Sequence, residues 1–224
     1  MGWEPSAVDN ETWKSRFEEG AAALGLEVSR EASSGLLTYS EELLRWNLKI
    51  NLTAITDPAE VLEKHLLDSL ALIRALGGVS RLLDLGAGAG FPGIPVALAV
   101  PGLEVTLVDS VAKKVGFMKH AIAHLELAPR VKAVHVNLGG HPESERVPKT
   151  EAVVSRAFMD VAKFLGFVIP YLADGGRAFA MTSHVQADDA LGRGFESGWV
   201  LEERLNFMLP FSGAARSVLA LRRS

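Results

Sequence analysis

Three alternating glycines, Gly86, Gly88 and Gly90, stand in the string RLLDLGAGAGFPGIP directly after the apolar run Leu82, Leu83 and Leu85. A strand that ends on such a turn is built for a nucleotide. Glycines accept positive φ, and their missing side chains let a ligand lie against the backbone. Pro92 follows and suits the first turn of a helix, where its absent N–H is not missed. A second apolar run, EVTLVDS, delivers Asp109, whose carboxylate can take both hydroxyls of a ribose. Asp84, ahead of the first glycine, sets a negative charge where a diphosphate is repelled and a sulfonium or ammonium attracted. Phe91 replaces the last glycine of the dinucleotide fingerprint G-x-G-x-x-G, so close packing of helix on strand against a pyrophosphate is not expected.

Positioning these residues takes a parallel sheet. From Arg81 onward short β-rich runs alternate with helical ones, which gives strands covered on both faces. Strands are expected at Arg81–Leu85, Glu104–Asp109, Lys132–Asn137, Glu151–Ser155, Arg177–Thr182, Val200–Met208 and Ser217–Leu221, with helices at Pro92–Ala99, Ala112–Leu125 and Ala162–Tyr171. Residues 1–76 read instead as a helical extension, with apolar positions at helical spacing over Glu11–Leu24 and Glu31–Ile50. Asp57-Pro58-Ala59-Glu60 marks a third start, with Asp as cap, Pro in the first turn and Glu closing a capping box. That helix is expected to run to Leu76 and stop at Gly77 and Gly78. The expected division is therefore a helical extension at 1–76 and an α/β part at 77–224.

Composition narrows the class. The chain has 224 residues, 48% hydrophobic and 22% charged, and no cysteine, which excludes disulfides, thiolate metal sites and cysteine catalysis. No apolar run approaches the ~18 residues of a membrane span, and the first residues lack the pattern of a signal peptide; a cytoplasmic protein is expected, with no membrane partner. The net charge of −4 argues against a protein that coats nucleic acid. Its distribution is uneven: residues 1–76 hold 7 Lys and Arg against 13 Asp and Glu, the remainder 16 against 14. Lys113, Lys114, Lys119, Arg130 and Lys132 meet only Glu126 between Val111 and Lys132, which makes either a face for an anionic substrate or a solvated helix face.

The hhDhGxGxG form resembles the first motif of S-adenosylmethionine-dependent methyltransferases. Further strings, RWNLKINLTAI, KHLLDSL, LLDLGAGAGFPGIPVAL, VDSVAKKVGFM, VVSRAF and LPFSGAARSVLAL, together resemble the glucose-inhibited division protein B family. That resemblance spans Leu43 to Leu221 and implies a Rossmann-like methyltransferase fold, a seven-stranded, mostly parallel sheet with an N-terminal helical extension. It implies methyl transfer from S-adenosylmethionine to N7 of a guanine in small-subunit ribosomal RNA, by direct in-line displacement. Ribosomal RNA or the small subunit is then the partner, with no metal and, as expectation, a monomer. By motif, Asp84, Gly86, Gly88, Gly90 and Phe91 belong to the donor site, Asp109 holds the ribose, and Arg156 stands near the methyl donor and the target base. Leu138 and Gly139 fall where the family contacts the adenine ring.

Two departures stand out. Leu138-Gly139-Gly140 replaces a small residue followed by Glu, so that the acceptor for the adenine amine is either missing or a main-chain carbonyl. Met181-Thr182-Ser183-His184 lacks the Lys-Gly usual after the fifth strand, which removes a cation unless His184 substitutes. Two other functions stay open on the sequence: a methyltransferase with a changed acceptor, and a non-catalytic S-adenosylmethionine- or ribosome-binding relative. Arg156 has a second role available, pairing with a carboxylate such as Asp84. His65, Asp68 and Ser69 have the residue types of a hydrolytic triad without its geometry, since Ser69 follows Asp68 directly; packing of the extension onto the glycine turn is expected instead. His120 and His124, one turn apart, read as a polar helix face, and Trp46 as packing between elements.

Overall fold

The computed structural model describes residues 9–136, 147, 149–156, 160–195 and 198–223. Leu138 and Gly139 lie outside them. Strands β1 (Arg81–Leu85), β2 (Glu104–Asp109), β3 (Val131–His135), β4 (Thr150–Arg156), β5 (Leu172–Ser183), β6 (Trp199–Met208) and β7 (Ala215–Arg223) form one sheet in the order β3-β2-β1-β4-β5-β7-β6. The first five run parallel, and β7 lies antiparallel between β5 and β6. This is the expected Rossmann-like sheet. Strand order reverses between β1 and β4, and the C-terminal ends there open the crevice where such sheets bind ligands.

Ahead of the sheet lie α1 (Asn10–Ala23), α2 (Arg30–Ile50), α3 (Pro58–Val61), a π-helical turn at Leu62–Leu67, α4 (Asp68–Leu70) and α5 (Ile73–Leu76). Caps start them as their residues dictate: the Ser29 hydroxyl accepts from Ala32 N at 3.1 Å and the Asp57 carboxylate from Glu60 N at 2.9 Å. The single helix expected from Asp57 to Leu76 is interrupted, because the π turn redirects the carbonyls of Lys64 and His65 to side chains described below. Helices α6 (Gly93–Ala99), α7 (Ala112–His124), α8 (Val161–Val168) and α9 (His184–Arg193) cover the sheet. Helix α9 was not expected, although Ser183 and Gln186 carry its capping box in plain view. Strand β5 also starts earlier, at Leu172 instead of Arg177.

Successive strand residues face opposite sides, so Leu82 and Leu83 enter different cores. On one face Leu82, Val105 and Leu107 pack with α6, α7 and the extension, including Trp13, Phe17, Leu36, Tyr39 and Leu66; on the other Leu83, Leu85 and Val153 pack with Phe164, Leu165 and Val168. The extension thus shares a core with the sheet. It also grips the β6–β7 turn, where the buried Glu63 carboxylate accepts from Phe211 N at 2.8 Å and Ser212 N at 2.6 Å and the Arg16 guanidinium lies 4.0 Å from the Phe211 ring centre.

Candidate active site

The glycine turn hangs from the end of β1. Gly86 and Ala87 donate to the Val108 carbonyl at 2.9 and 3.0 Å, and Gly86, Gly88 and Gly90 all take positive φ, +73°, +61° and +100°. A Cβ at Gly88 would meet nothing within 4 Å, so the outer side of the turn is bare and open to a ligand. Asp109, at the tip of β2, braces it: one oxygen accepts from Gly88 N at 2.8 Å and the other from Val111 N at 2.8 Å. Each carboxylate oxygen keeps a lone pair for a further donor, as a ribose diol requires.

Asp84 sits beneath the turn, fully buried. Its Oδ2 accepts from Gly93 N at 2.8 Å, while Oδ1 has no partner among the described residues. Burial holds its carboxyl well above the usual carboxylate range, against the Gly93 N–H that favours the charged form. The side chain therefore anchors the start of α6 to β1. Close helix-on-strand packing does occur here, two residues later than the dinucleotide fingerprint places it: a Cβ at Gly93 would stand 2.2 Å from Leu107 Cδ2 and 2.9 Å from Asp84 Oδ2.

Arg156 closes β4 beside Ser155, whose hydroxyl donates to the Leu85 carbonyl at 2.9 Å and ties β4 to β1 at the reversal point. Its guanidinium reaches into the extension. Nη1 donates to the Lys64 carbonyl at 2.8 Å and to Asp68 Oδ2 at 3.1 Å, and Nη2 lies 3.1 Å from His65 Nδ1. The carboxylate partner is Asp68, not Asp84. Because Arg cannot accept, His65 Nδ1 is the acceptor, which puts the ring proton on Nε2, where it meets Thr53 Oγ1 at 2.8 Å. Thr53 is itself set by Asn47, whose Oδ1 accepts from Leu52 N at 2.6 Å and Thr53 N at 3.0 Å. The His65 ring stacks on Phe91 at 4.5 Å, and Phe91 also meets Tyr39 at 5.4 Å and the Arg156 guanidinium at 5.1 Å. Tyr39, fully buried, donates its hydroxyl to the Ala89 carbonyl. Helix α2 and the π turn therefore hold the glycine turn directly, as expected of the His65–Asp68–Ser69 segment. Ser69 is no triad member: its hydroxyl donates to the His65 carbonyl.

Beyond Arg156 opens a cleft of ≈ 370 Å³, walled by His65, Asp68, Thr182, Ser183, Gln186 and Arg216. Arg216 stands opposite Ser183 in the β5–β7 pairing, with Nε 3.7 Å from Asp68 Oδ1. With Lys64 and Arg156 it makes three cations in the cleft lining, and the sequence does not single it out because it arrives from a strand two positions along the chain from β5. His184 does not fill that place: it turns toward Arg204, at 3.3 Å, and Ser217, at 3.4 Å. Burial raises the Asp68 carboxyl, offset by Arg156 and Arg216.

Burial, and then the neighbouring Arg156 charge, push the His65 pKa down to about 3. The unfolded chain takes up that proton near the ordinary imidazole value of about 6.5 while the folded chain refuses it. The stabilisation from keeping His65 neutral is complete above that value and is lost as pH falls toward 3. Asp68 and Asp84, raised by burial, titrate with the opposite sign, so the difference between wild type and His65→Gln isolates the imidazole. The thermal midpoint of the wild type is expected to fall more steeply between pH 7 and 5, in roughly this window. Parallel curves for the two proteins would remove the neutral imidazole from the account.

Residues 32–215 match the family described as GidB, rRNA small subunit methyltransferase G. The chain belongs to this family. Ribosomal RNA small subunit methyltransferase G of Myxococcus xanthus (strain DK1622) is 46% identical over 212 residues, covering 94% of this chain and 97% of that protein. The one from Anaeromyxobacter sp. (strain Fw109-5) is 49% identical over 208 residues, covering 92% and 95%. A solved S-adenosylmethionine-dependent methyltransferase from Thiobacillus denitrificans, in complex with S-adenosyl-L-homocysteine, shares the fold at TM-score 0.54 and 16% identity, over 70% of this chain and 91% of that one. As a GidB member the chain is an S-adenosylmethionine-dependent methyltransferase of small-subunit ribosomal RNA. The bare turn and the spare lone pairs of Asp109 fit that donor.

The remaining polar candidates of this GidB chain are structural. His120 Nε2 lies 2.8 Å from Glu42 Oε2, and Trp46 packs on His120 at 4.8 Å and Phe117 at 5.7 Å, joining α2 to α7. Arg130 donates to the carbonyls of Leu103 and Ala97 at 3.1 and 2.6 Å. Among the described residues no cluster of three or more His, Cys, Asp or Glu could hold a metal, and no helix is long and apolar enough to cross a membrane.

Proposed function

We propose that Gly86, Gly88 and Gly90 carry the donor, that Asp109 holds its ribose, and that the guanine enters the cleft beside Arg156 with Arg216 at its outer wall. One observation carries this division of labour: the Arg156 guanidinium stands between the glycine turn and the cleft with three hydrogen bonds made, leaving two of its five N–H groups. Those remaining donors suit guanine O6 or a phosphate oxygen. S-adenosylmethionine, when bound, supplies an electrophilic methyl group on a sulfonium. Guanine N7 already presents a lone pair, so no side chain has to remove a proton first, and the chain's own residues contribute by binding, alignment and exclusion of water. Phe91, clamped by His65 and Tyr39, is the wall between the two substrates. Asp84 acts from below, by fixing α6. The helical extension at 1–76 is then part of the site, because it supplies His65 and Asp68 to the methyltransferase part at 77–224. The chain acts as a monomer in the cytoplasm; light scattering giving the mass of one chain checks the first of these.

Incubation with tritiated S-adenosylmethionine and naked RNA, intact small subunits or free nucleotides tests the acceptor. Label on RNA or subunits, removable at a single guanine by N7-specific strand cleavage, is expected; label confined to nucleotides would move the acceptor to a small molecule. For Asp109→Ala the donor dissociation constant is expected to rise at least about tenfold, ~1.4 kcal/mol, with a smaller change in turnover at saturating donor. Calorimetry returning wild-type affinity would take Asp109 off the ribose.

A further inference from the structure

At the opposite end of the sheet, where β1, β2, β3 and β4 begin, lies a second concavity of ≈ 290 Å³. Arg81, Arg130, Lys132 and Lys149 line it, and Glu104 is the one carboxylate in that lining among the described residues. Arg81, Lys132 and Lys149 are exposed, and none of the four side chains forms a salt bridge among the described residues, although Arg81 lies in the field of Glu151, whose carboxylate accepts from Arg81 N at 2.8 Å. Arg130 is fixed at the rim by the Leu103 and Ala97 carbonyls, and its partial burial lowers its pKa from the ordinary guanidinium value while leaving it charged. Cations gathered around one hollow repel each other, and an anion in the hollow offsets that cost.

The chemistry of the walls says which anion. Among the described lining residues no aromatic ring stands, so these offer no platform for a base or a nucleoside. The volume falls just under the roughly 300–1,000 Å³ of small-molecule pockets. What remains is a group that is small, anionic and indifferent to base identity. The established substrate is a polyanion made of such groups. Strand β1, five residues long at about 3.3 Å each, separates this hollow from the transfer cleft by on the order of 15 Å.

We infer that this basic hollow holds a phosphodiester group of ribosomal RNA, on a segment other than the one that carries the target guanine. Folded RNA can then touch both ends of the sheet at once. The second contact orients the substrate without reading its sequence.

The test uses the triple variant Arg81→Ala/Lys132→Ala/Lys149→Ala beside a control of equal charge loss at exposed sites elsewhere, Lys14→Ala/Lys163→Ala/Arg223→Ala. Binding of a small-subunit ribosomal RNA transcript is titrated at several salt concentrations, and S-adenosylmethionine affinity is measured by calorimetry. Both variants are expected to bind the donor as the wild type does. In the first, RNA affinity falls at least about tenfold at low salt and the log–log salt slope shrinks by about 0.7–0.9, as loss of one phosphate contact requires; the control keeps the wild-type slope. Equal slopes in all three proteins would overturn the inference. So would saturable binding of inorganic phosphate to the hollow together with unchanged RNA affinity in the first variant, since the hollow then serves a free anion. Failure of the wild type itself to bind the transcript would instead count against the RNA substrate.

Discussion

Arg156→Ala is expected to lower turnover at least about tenfold, ~1.4 kcal/mol of barrier, while donor affinity stays near wild type. The change removes the donors to the Lys64 carbonyl, Asp68 and His65 Nδ1 together, and Arg216, at 3.7 Å, is what remains beside Asp68. Stability falls too. An unpaired buried charge costs about 3–5 kcal/mol, but Asp68, already raised by burial, escapes part of this by taking a proton, so about 2 kcal/mol is expected. Arg156→Lys separates the two effects. Lysine keeps a positive charge beside Asp68 but lacks the planar fork. If Arg156 orients the guanine, Lys recovers much of the thermal midpoint and little of the turnover. Recovery of both together, or an unchanged rate in the Ala variant, returns Arg156 to a purely structural part.

The second large effect is expected at Gly93. Its Cβ as alanine would meet Leu107 Cδ2 at 2.2 Å, Asp84 Oδ2 at 2.9 Å and Val105 Cγ1 at 3.1 Å, and all three neighbours are buried with no room to give. Helix α6 must lift from β1 and β2, at the about 1–3 kcal/mol typical of overpacking plus a weakened Asp84–Gly93 bond. A urea melt should place Gly93→Ala about 3 kcal/mol below wild type. Gly88→Ala is the informative companion. Its Cβ meets nothing, so the cost is confined to the left-handed backbone, about 1 kcal/mol, and the methyl group projects into the space proposed for the donor. That variant should melt near wild type and lose donor affinity. A wild-type melt for Gly93→Ala would show that the helix does not press on the sheet there.

Much of this arrangement is legible before any coordinates. The apolar runs over Leu82 to Leu85 and Val105 to Asp109 predict buried strands ending on the turn and on the carboxylate, and both do. Asp57 and Pro58 start a helix where their chemistry requires. The Ser183–Gln186 capping box of α9 is local in the same way, whereas the need for glycine at position 93 comes from Leu107 and Asp84 on neighbouring strands. The fate of the carboxylates was not legible at all. Asp84 was expected to face a cation and instead holds Gly93, while Asp68, read only as helix packing, pairs with Arg156.

The chain's own pattern, then, determined a parallel sheet, a glycine turn for the donor and an acid at the next strand tip, because periodicity and capping act between residues a few positions apart. Only the tertiary structure decided what surrounds Arg156. Lys64, His65 and Asp68 lie 88 to 92 positions from it, Arg216 sixty beyond it, and they converge because β4 crosses to the far side of β1 and β7 inserts between β5 and β6. Residue types can advertise a guanidinium near a donor site, but which partners hold it depends on strand order, and strand order is set by how two hydrophobic faces are buried at once.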